Sequence, residues 1–200
     1  TKRIRYQFHR EEMLFKGIIC GIRDYFNKNK IENAIIGLSG GVDSALVSTL
    51  AYIALGKDRI VNVFIPSQFT SEESKRLVKE FIKRQQTRLI NIPITKVFST
   101  LKQELKDIPV NSTLPYENIQ SRIRGSILMF FANSYRGAVL ATGNKNEIAL
   151  GYNTLYGDTV GAITPIGDLY KDEVISLCKY INRNFQDIIP EEIINRVPTA

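Results

Sequence analysis

The chain has 200 residues, 44% of them hydrophobic and 24% charged, which supplies one ordinary core and argues against wholesale disorder. The apolar stretches around 34–38 and 127–132 are too short to cross a bilayer, and no signal-type run follows the basic residues 1–5, so a cytoplasmic protein without a membrane partner is expected. Two distant cysteines and a single histidine, His9, exclude an ordinary Cys/His zinc site; 27 Lys and Arg against 20 Asp and Glu, a net charge of +7, suit a phosphate-bearing partner without requiring nucleic acid.

Residues 8–27 carry apolar side chains at 15, 18, 19, 22, 25 and 26, a helical stripe. The run 33–38 reads as a buried strand, broken by Ser39-Gly40-Gly41-Val42-Asp43-Ser44; residues 45–55 then form a helix ending at Gly56. A second strand is expected over 59–65, closed by Pro66, and a polar-faced helix over 71–84, opening on Ser-Glu-Glu. A third strand at 88–92 and a helix at 97–106 precede a loop containing Pro109 and Pro115. The helix expected over 118–134 leads to a fourth strand at 138–141; 151–165 reads as loop, 168–181 as helix, and 190–195 as a short last helix. Strands alternating with helices predict one α/β domain over 1–200, a doubly wound parallel sheet flanked by helices.

The hexapeptide 39–44 falls where a strand gives way to a helix, the place where ligands bind in open α/β sheets. Gly40 and Gly41 let the backbone approach an anion, Ser39 and Ser44 add hydroxyls, and the following helix presents its positive end. No Gly-Lys-Ser/Thr follows, so this is not a Walker A loop. Asp43 among phosphates is tolerable when a divalent cation lies between them. The pattern resembles the pyrophosphatase loop of the ATP pyrophosphatase (PP-loop) superfamily, whose fold is Rossmann-like.

A second stretch, Thr142-Gly143-Asn144-Lys145-Asn146-Glu147 followed by Gly151-Tyr152-Asn153-Thr154-Leu155-Tyr156-Gly157-Asp158, has little periodicity yet is dense in hydroxyl, amide and carboxylate groups. With Pro165 to Lys171, Glu117 to Arg124 and Pro198-Thr199-Ala200, it resembles the signature of NAD synthetases, from roughly Glu11 to the last residue. The resemblance implies a ligase that adenylates the nicotinate carboxylate of deamido-NAD with ATP and then amidates it with ammonia, giving NAD and AMP.

It implies Ser39, Gly40, Gly41, Asp43, Ser44, Thr142, Lys171 and Thr199 on the ATP side, with Asp43 and Lys171 closest to the chemistry. Asp43 and Glu147 are implied as Mg²⁺ ligands, and Tyr25, Asn118, Arg122 and Asp158 as contacts of deamido-NAD. Ammonia is expected either free or delivered by a glutamine-hydrolysing domain, and a homodimer is implied through the helix 118–134.

Two departures accompany the match. Phe64 stands where many stand-alone members have an ATP-contacting arginine, which leaves Gln68 or Ser71 as candidate replacements. The family continues beyond Pro-Thr-Ala through a polar loop and a helical segment, which this chain is expected to lack. The rival readings are another PP-loop enzyme, such as a tRNA-modifying ligase or GMP synthetase, and a nucleotide-binding domain without turnover.

Overall fold

The computed structural model describes residues 9–185 and 187–197. Four parallel strands form one sheet in the order β3-β2-β1-β4, with β1 Asn33–Leu38, β2 Ile60–Phe64, β3 Arg88–Asn91 and β4 Gly137–Val139. The helices are α1 Arg10–Lys28, α2 Val42–Leu55, α3 Glu72–Gln85, α4 Thr95–Glu104, α5 Leu114–Ser134, α6 Lys145–Leu150, α7 Lys171–Asn184 and α8 Glu191–Asn195. The expected doubly wound α/β architecture is the one observed.

Alternation along the strands decides which helices lie on which face. Ala34, Ile36 and Leu38 of β1 and Ile60 and Phe64 of β2 join a core with α1, α2, α3 and α7. Ile35, Val61 and Val63 point to the opposite face, against Phe131 and Ala132 of α5. Gly37 lets α5 approach closely: a Cβ there would stand 3.1 Å from Leu128 Cδ1.

The chain lays down β1, β2 and β3 in one direction and then returns to the other side of β1 for β4. The strand order therefore reverses between β1 and β4, and the crevice opens beyond their carboxyl ends.

Several boundaries differ from the sequence expectation. Helix α5 starts at Leu114, not at 118, because Pro115 occupies its first turn, where a missing N–H costs nothing. Helix α6 is new: Asn144 caps it, Glu147 completes a capping box, and Gly151 closes it in the left-handed conformation at φ 66°. Helix α2 begins at Val42, α4 at Thr95 and α7 at Lys171. The segment 151–165 is irregular as expected, except that Ile163 makes an isolated parallel bridge to Leu140 beyond the end of β4.

Candidate active site at the strand crossover

Strand β1 delivers the chain into the crevice at Ser39. Gly40 turns at φ 84°, and a Cβ there would come within 3.0 Å of the Ser74 carbonyl, so glycine is required twice over. The loop is braced internally: Gly41 N–H donates to Ser39 Oγ at 3.1 Å, and Ser44 Oγ–H donates to the Gly41 carbonyl at 3.0 Å. Gly41 is the N-cap of α2, whose first-turn N–H groups have no intrahelical acceptor. Such open donors and the positive end of a helix dipole can receive an anion.

Asp43, in the first turn of α2, joins the loop after β1 to the segments after β4. Its Oδ1 accepts from Asn144 Nδ2 at 3.1 Å, and its Oδ2 pairs with Lys171 Nζ at 2.5 Å. The two ionic side chains are only 17% and 30% exposed, so solvent screens the pair weakly. Lys171 is the first residue of α7, where the helix dipole disfavours a cation, and Asp43 offsets that cost. The Lys171 N–H donates to Asn146 Oδ1 at 2.9 Å, which locks α7 against α6.

Glu147 reaches back from α6 so that its Oε2 accepts from the Asn144 N–H at 3.0 Å. Burial pushes its carboxyl above the usual value, and the Asn144 N–H opposes the rise. The charges of Asp43 and Asp158 add to it, while Lys171 subtracts. The carboxylates of Asp43 and Glu147 thus share one electrostatic environment. Among the described residues no group of three or more Asp, Glu, His or Cys could enclose a metal. Two carboxylates beside an anion seat fit a hard cation such as Mg²⁺, which completes its shell with phosphate oxygens and water. Thr142 is half-buried in the loop between β4 and α6.

A second cluster stands on α5. Asn118 Oδ1 accepts from Thr154 Oγ1 at 2.8 Å, and Arg122 Nε donates to the Leu155 carbonyl at 3.1 Å. Asp158 Oδ1 accepts from the Thr154 N–H at 2.8 Å, and the Asp158 N–H donates to Ser121 Oγ at 3.0 Å. Asn118, Arg122 and Asp158 are therefore brought together.

Tyr25 is not with them. Helix α1 runs into the amino end of β1, so Tyr25 lies at the end of the sheet away from Asp43, packed on the core beside Phe26. Thr199 lies outside the described residues. Phe64 is buried at the end of β2, Gln68 is exposed, and Ser71 caps α3 while its hydroxyl accepts from Arg196 at 3.4 Å.

Residue-type reasoning passed over Asn144, which is 2% exposed and bonds Asp43, and Arg196, which reaches the carbonyl of Gly40. Asn-x-x-Glu before a glycine was the available signal for Asn144. Nothing local marks Arg196.

The family model described as NAD synthase matches residues 14–200. Among similar proteins is the glutamine-dependent NAD(+) synthetase of Thermotoga maritima, 43% identical over 194 residues; the match covers 96% of this chain and 34% of that protein. The chain thus spans about a third of the length of that relative.

Among solved structures, the glutamine-dependent NAD+ synthetase of Acinetobacter baumannii in complex with ADP superposes with a TM-score of 0.91 at 33% identity, covering 100% of this chain and 38% of that one. The NMN synthetase of Francisella tularensis gives 0.87 at 25% identity, covering 96% and 76%. The NH3-dependent NAD synthetase of Campylobacter jejuni gives 0.81 at 28% identity, covering 91% and 77%. A chain matched by the family model from residue 14 to residue 200, with this sheet order and this loop at its crossover, belongs to the NAD synthase family.

Proposed function

We propose that this chain carries the ATP-dependent amidation of deamido-NAD: the nicotinate carboxylate is adenylated, and ammonia then displaces AMP to give NAD. The observation that carries the reading is the Asp43–Lys171–Asn144 junction, which draws the anion-binding loop, α6 and α7 onto one point of the crevice.

A substrate carboxylate oxygen attacks the α-phosphorus of ATP, the bond from that phosphorus to the bridging oxygen breaks, and pyrophosphate leaves. The loop Ser39 to Ser44 and the first turn of α2 receive the pyrophosphate through backbone N–H groups and hydroxyls. Lys171 exchanges Asp43 for phosphate oxygens and stabilises charge that grows during transfer, and Thr142, in the loop after β4, adds a hydroxyl on the ATP side. Asp43 and Glu147 would hold Mg²⁺, which neutralises phosphate charge when bound. Ammonia next attacks the acyl carbon, AMP departs with the electron pair of the cleaved C–O bond, and the ammonium intermediate loses its proton to solvent. Asn118, Arg122 and Asp158 orient the dinucleotide along α5.

A homodimer fits the apolar groove of about 490 Å³ between α4 and α5, lined by Val97, Leu101, Ile119, Ile123, Ile127 and Phe130. Arg122 lines the same groove, so a partner docked there would border the dinucleotide site. The nitrogen enters as ammonia, and the similarity to glutamine-dependent relatives supports a glutaminase as its source.

The test mixes the chain with ATP, Mg²⁺, ammonium and deamido-NAD. NAD and AMP are expected together, and neither without the dinucleotide. The likeness to an NMN synthetase makes nicotinate mononucleotide the control substrate. Faster turnover of the mononucleotide would move the assignment to it. Pyrophosphate release stimulated by tRNA, with no response to either nicotinate, would move it to a tRNA-modifying ligase.

A further inference from the structure

Arg196 follows α8 in extended conformation, and its charged side chain is only 12% exposed. One guanidinium nitrogen donates to the Gly40 carbonyl at 3.3 Å and to Ser74 Oγ at 3.0 Å. The other donates to Ser71 Oγ at 3.4 Å and faces Glu73 Oε2 at 3.5 Å. One side chain therefore bridges the anion-binding loop and the first turn of α3. The site is electrostatically awkward, because α2 and α3 both begin there and both dipoles repel a cation. The half-exposed Glu73 is the carboxylate that faces it.

The Gly40 carbonyl is what the guanidinium controls. A peptide group is planar, so the Gly40 carbonyl and the Gly41 N–H point in opposite directions. Holding the carbonyl on Arg196 aims the Gly41 N–H at Ser39 Oγ, where it donates at 3.1 Å. A peptide between two glycines lacks the side chains that normally hinder its rotation, so this plane flips more easily than any other in the loop. A flip would turn a carbonyl oxygen toward the bound anion and release the Ser39 hydroxyl.

We propose that Arg196 is a positioning residue for nucleotide binding: it pins the Gly40–Gly41 peptide in the donor-inward orientation and so keeps the loop competent for the pyrophosphate moiety of ATP. The proposal rests on the amidation reading given above.

The test is calorimetric titration of the full chain with inorganic pyrophosphate, ATP and deamido-NAD. Arg196→Ala is expected to weaken pyrophosphate and ATP about tenfold, the effect of losing charge-assisted hydrogen bonds, and to leave deamido-NAD affinity unchanged. Added methylguanidinium should recover part of the lost pyrophosphate affinity in Arg196→Ala. It should do nothing to the parent.

Arg196→Lys keeps the charge and packing but places a single ammonium where the planar fork spanned three acceptors. In that variant the Gly41 amide should exchange hydrogen several-fold faster than in the parent. Unchanged pyrophosphate affinity in Arg196→Ala, or in Arg196→Lys with unchanged Gly41 exchange, overturns the proposal. An equal loss of deamido-NAD affinity also overturns it, by marking Arg196 as a general prop. A parent chain that binds neither pyrophosphate nor ATP overturns the amidation reading itself, and the inference falls with it.

Discussion

Asp43 in the free protein is held by Lys171 on one oxygen and Asn144 on the other. On the proposed reading the ammonium occupies the carboxylate that a divalent cation would use, and Mg²⁺ would arrive with phosphates able to draw Lys171 away. Replacing Lys171 by Met should split two properties. Mn²⁺ titrated without nucleotide should bind the variant about tenfold more tightly, because Asp43 and Glu147 then face each other without a counter-ion. If Lys171 serves adenylation as proposed, that step should fall about a hundredfold, since the charge aimed at its transition state is gone. Electron paramagnetic resonance of free Mn²⁺ and AMP release read the two effects. Unchanged Mn²⁺ affinity would show that Lys171 does not compete for the metal carboxylates.

Glu173 offers a pH test on the same helix. The Tyr170 N–H and, after it, Arg10 hold its carboxyl below the usual value near 4.5. A lowered folded value means that its stabilisation is complete above the unfolded value and is lost as pH falls through the folded one. The parent should therefore lose melting temperature relative to Glu173→Gln as pH falls below the usual carboxylate value. Parallel melting curves over that range would deny the cap. The loop after β1 was legible because its glycines, serines and Asp43 stand together where a strand gives way to a helix. Asn144 was legible as a helix cap but not as the partner of Asp43, 101 positions away, and Arg196 was not legible, because it meets Gly40 across 156 positions.

At the scale of elements, the seat of the 154–158 loop on α5 is set by two glycines in contact with the opposing backbone. A Cβ on Gly125 would lie 2.6 Å from the Tyr156 carbonyl, and one on Gly157 would lie 2.8 Å from Ser121 Cβ. Alanine in mid-helix is normally favoured over glycine by about 1 kcal/mol. At Gly125 the backbone clash outweighs that gain, since neither α5 nor Tyr156, itself at φ 64°, can yield without moving the loop. Gly125→Ala should therefore raise the deamido-NAD KM by about tenfold or more and leave the ATP KM near the parent value. A variant with raised melting temperature and an unaltered deamido-NAD KM would mean that the loop does not need this seat. The sequence made α5 legible through its apolar repeat but hid its first turn, because Pro115 reads as a breaker unless its position within the helix is known. Helix α6 was hidden for a different reason: six residues are too few to establish a period, and only its Asn144 and Gly151 ends announce it.

At the scale of the molecule, strand alternation was sufficient to predict the layers, and the position of the glycine loop between strand and helix was sufficient to locate the crevice. What covers the outer side of α5 is a separate matter. Phe130, 65% exposed, lines the groove shared with Val97 and Leu101 of α4, which are exposed as well. Large side chains left open in one continuous strip mark a contact surface more often than a solvated one. Two copies related by a twofold axis would bury the strip on both. Phe130→Asp should then convert a dimer to a monomer in sedimentation, because an unpaired carboxylate cannot be buried in an apolar seam. Since Arg122 reaches both this groove and the Leu155 carbonyl, the same substitution should raise the deamido-NAD KM more than the ATP KM. A parent that sediments as a monomer at micromolar concentration would reject the twofold contact. A variant that stays dimeric would move the contact to another face, and equal changes in both KM values would sever the link between the seam and the dinucleotide site.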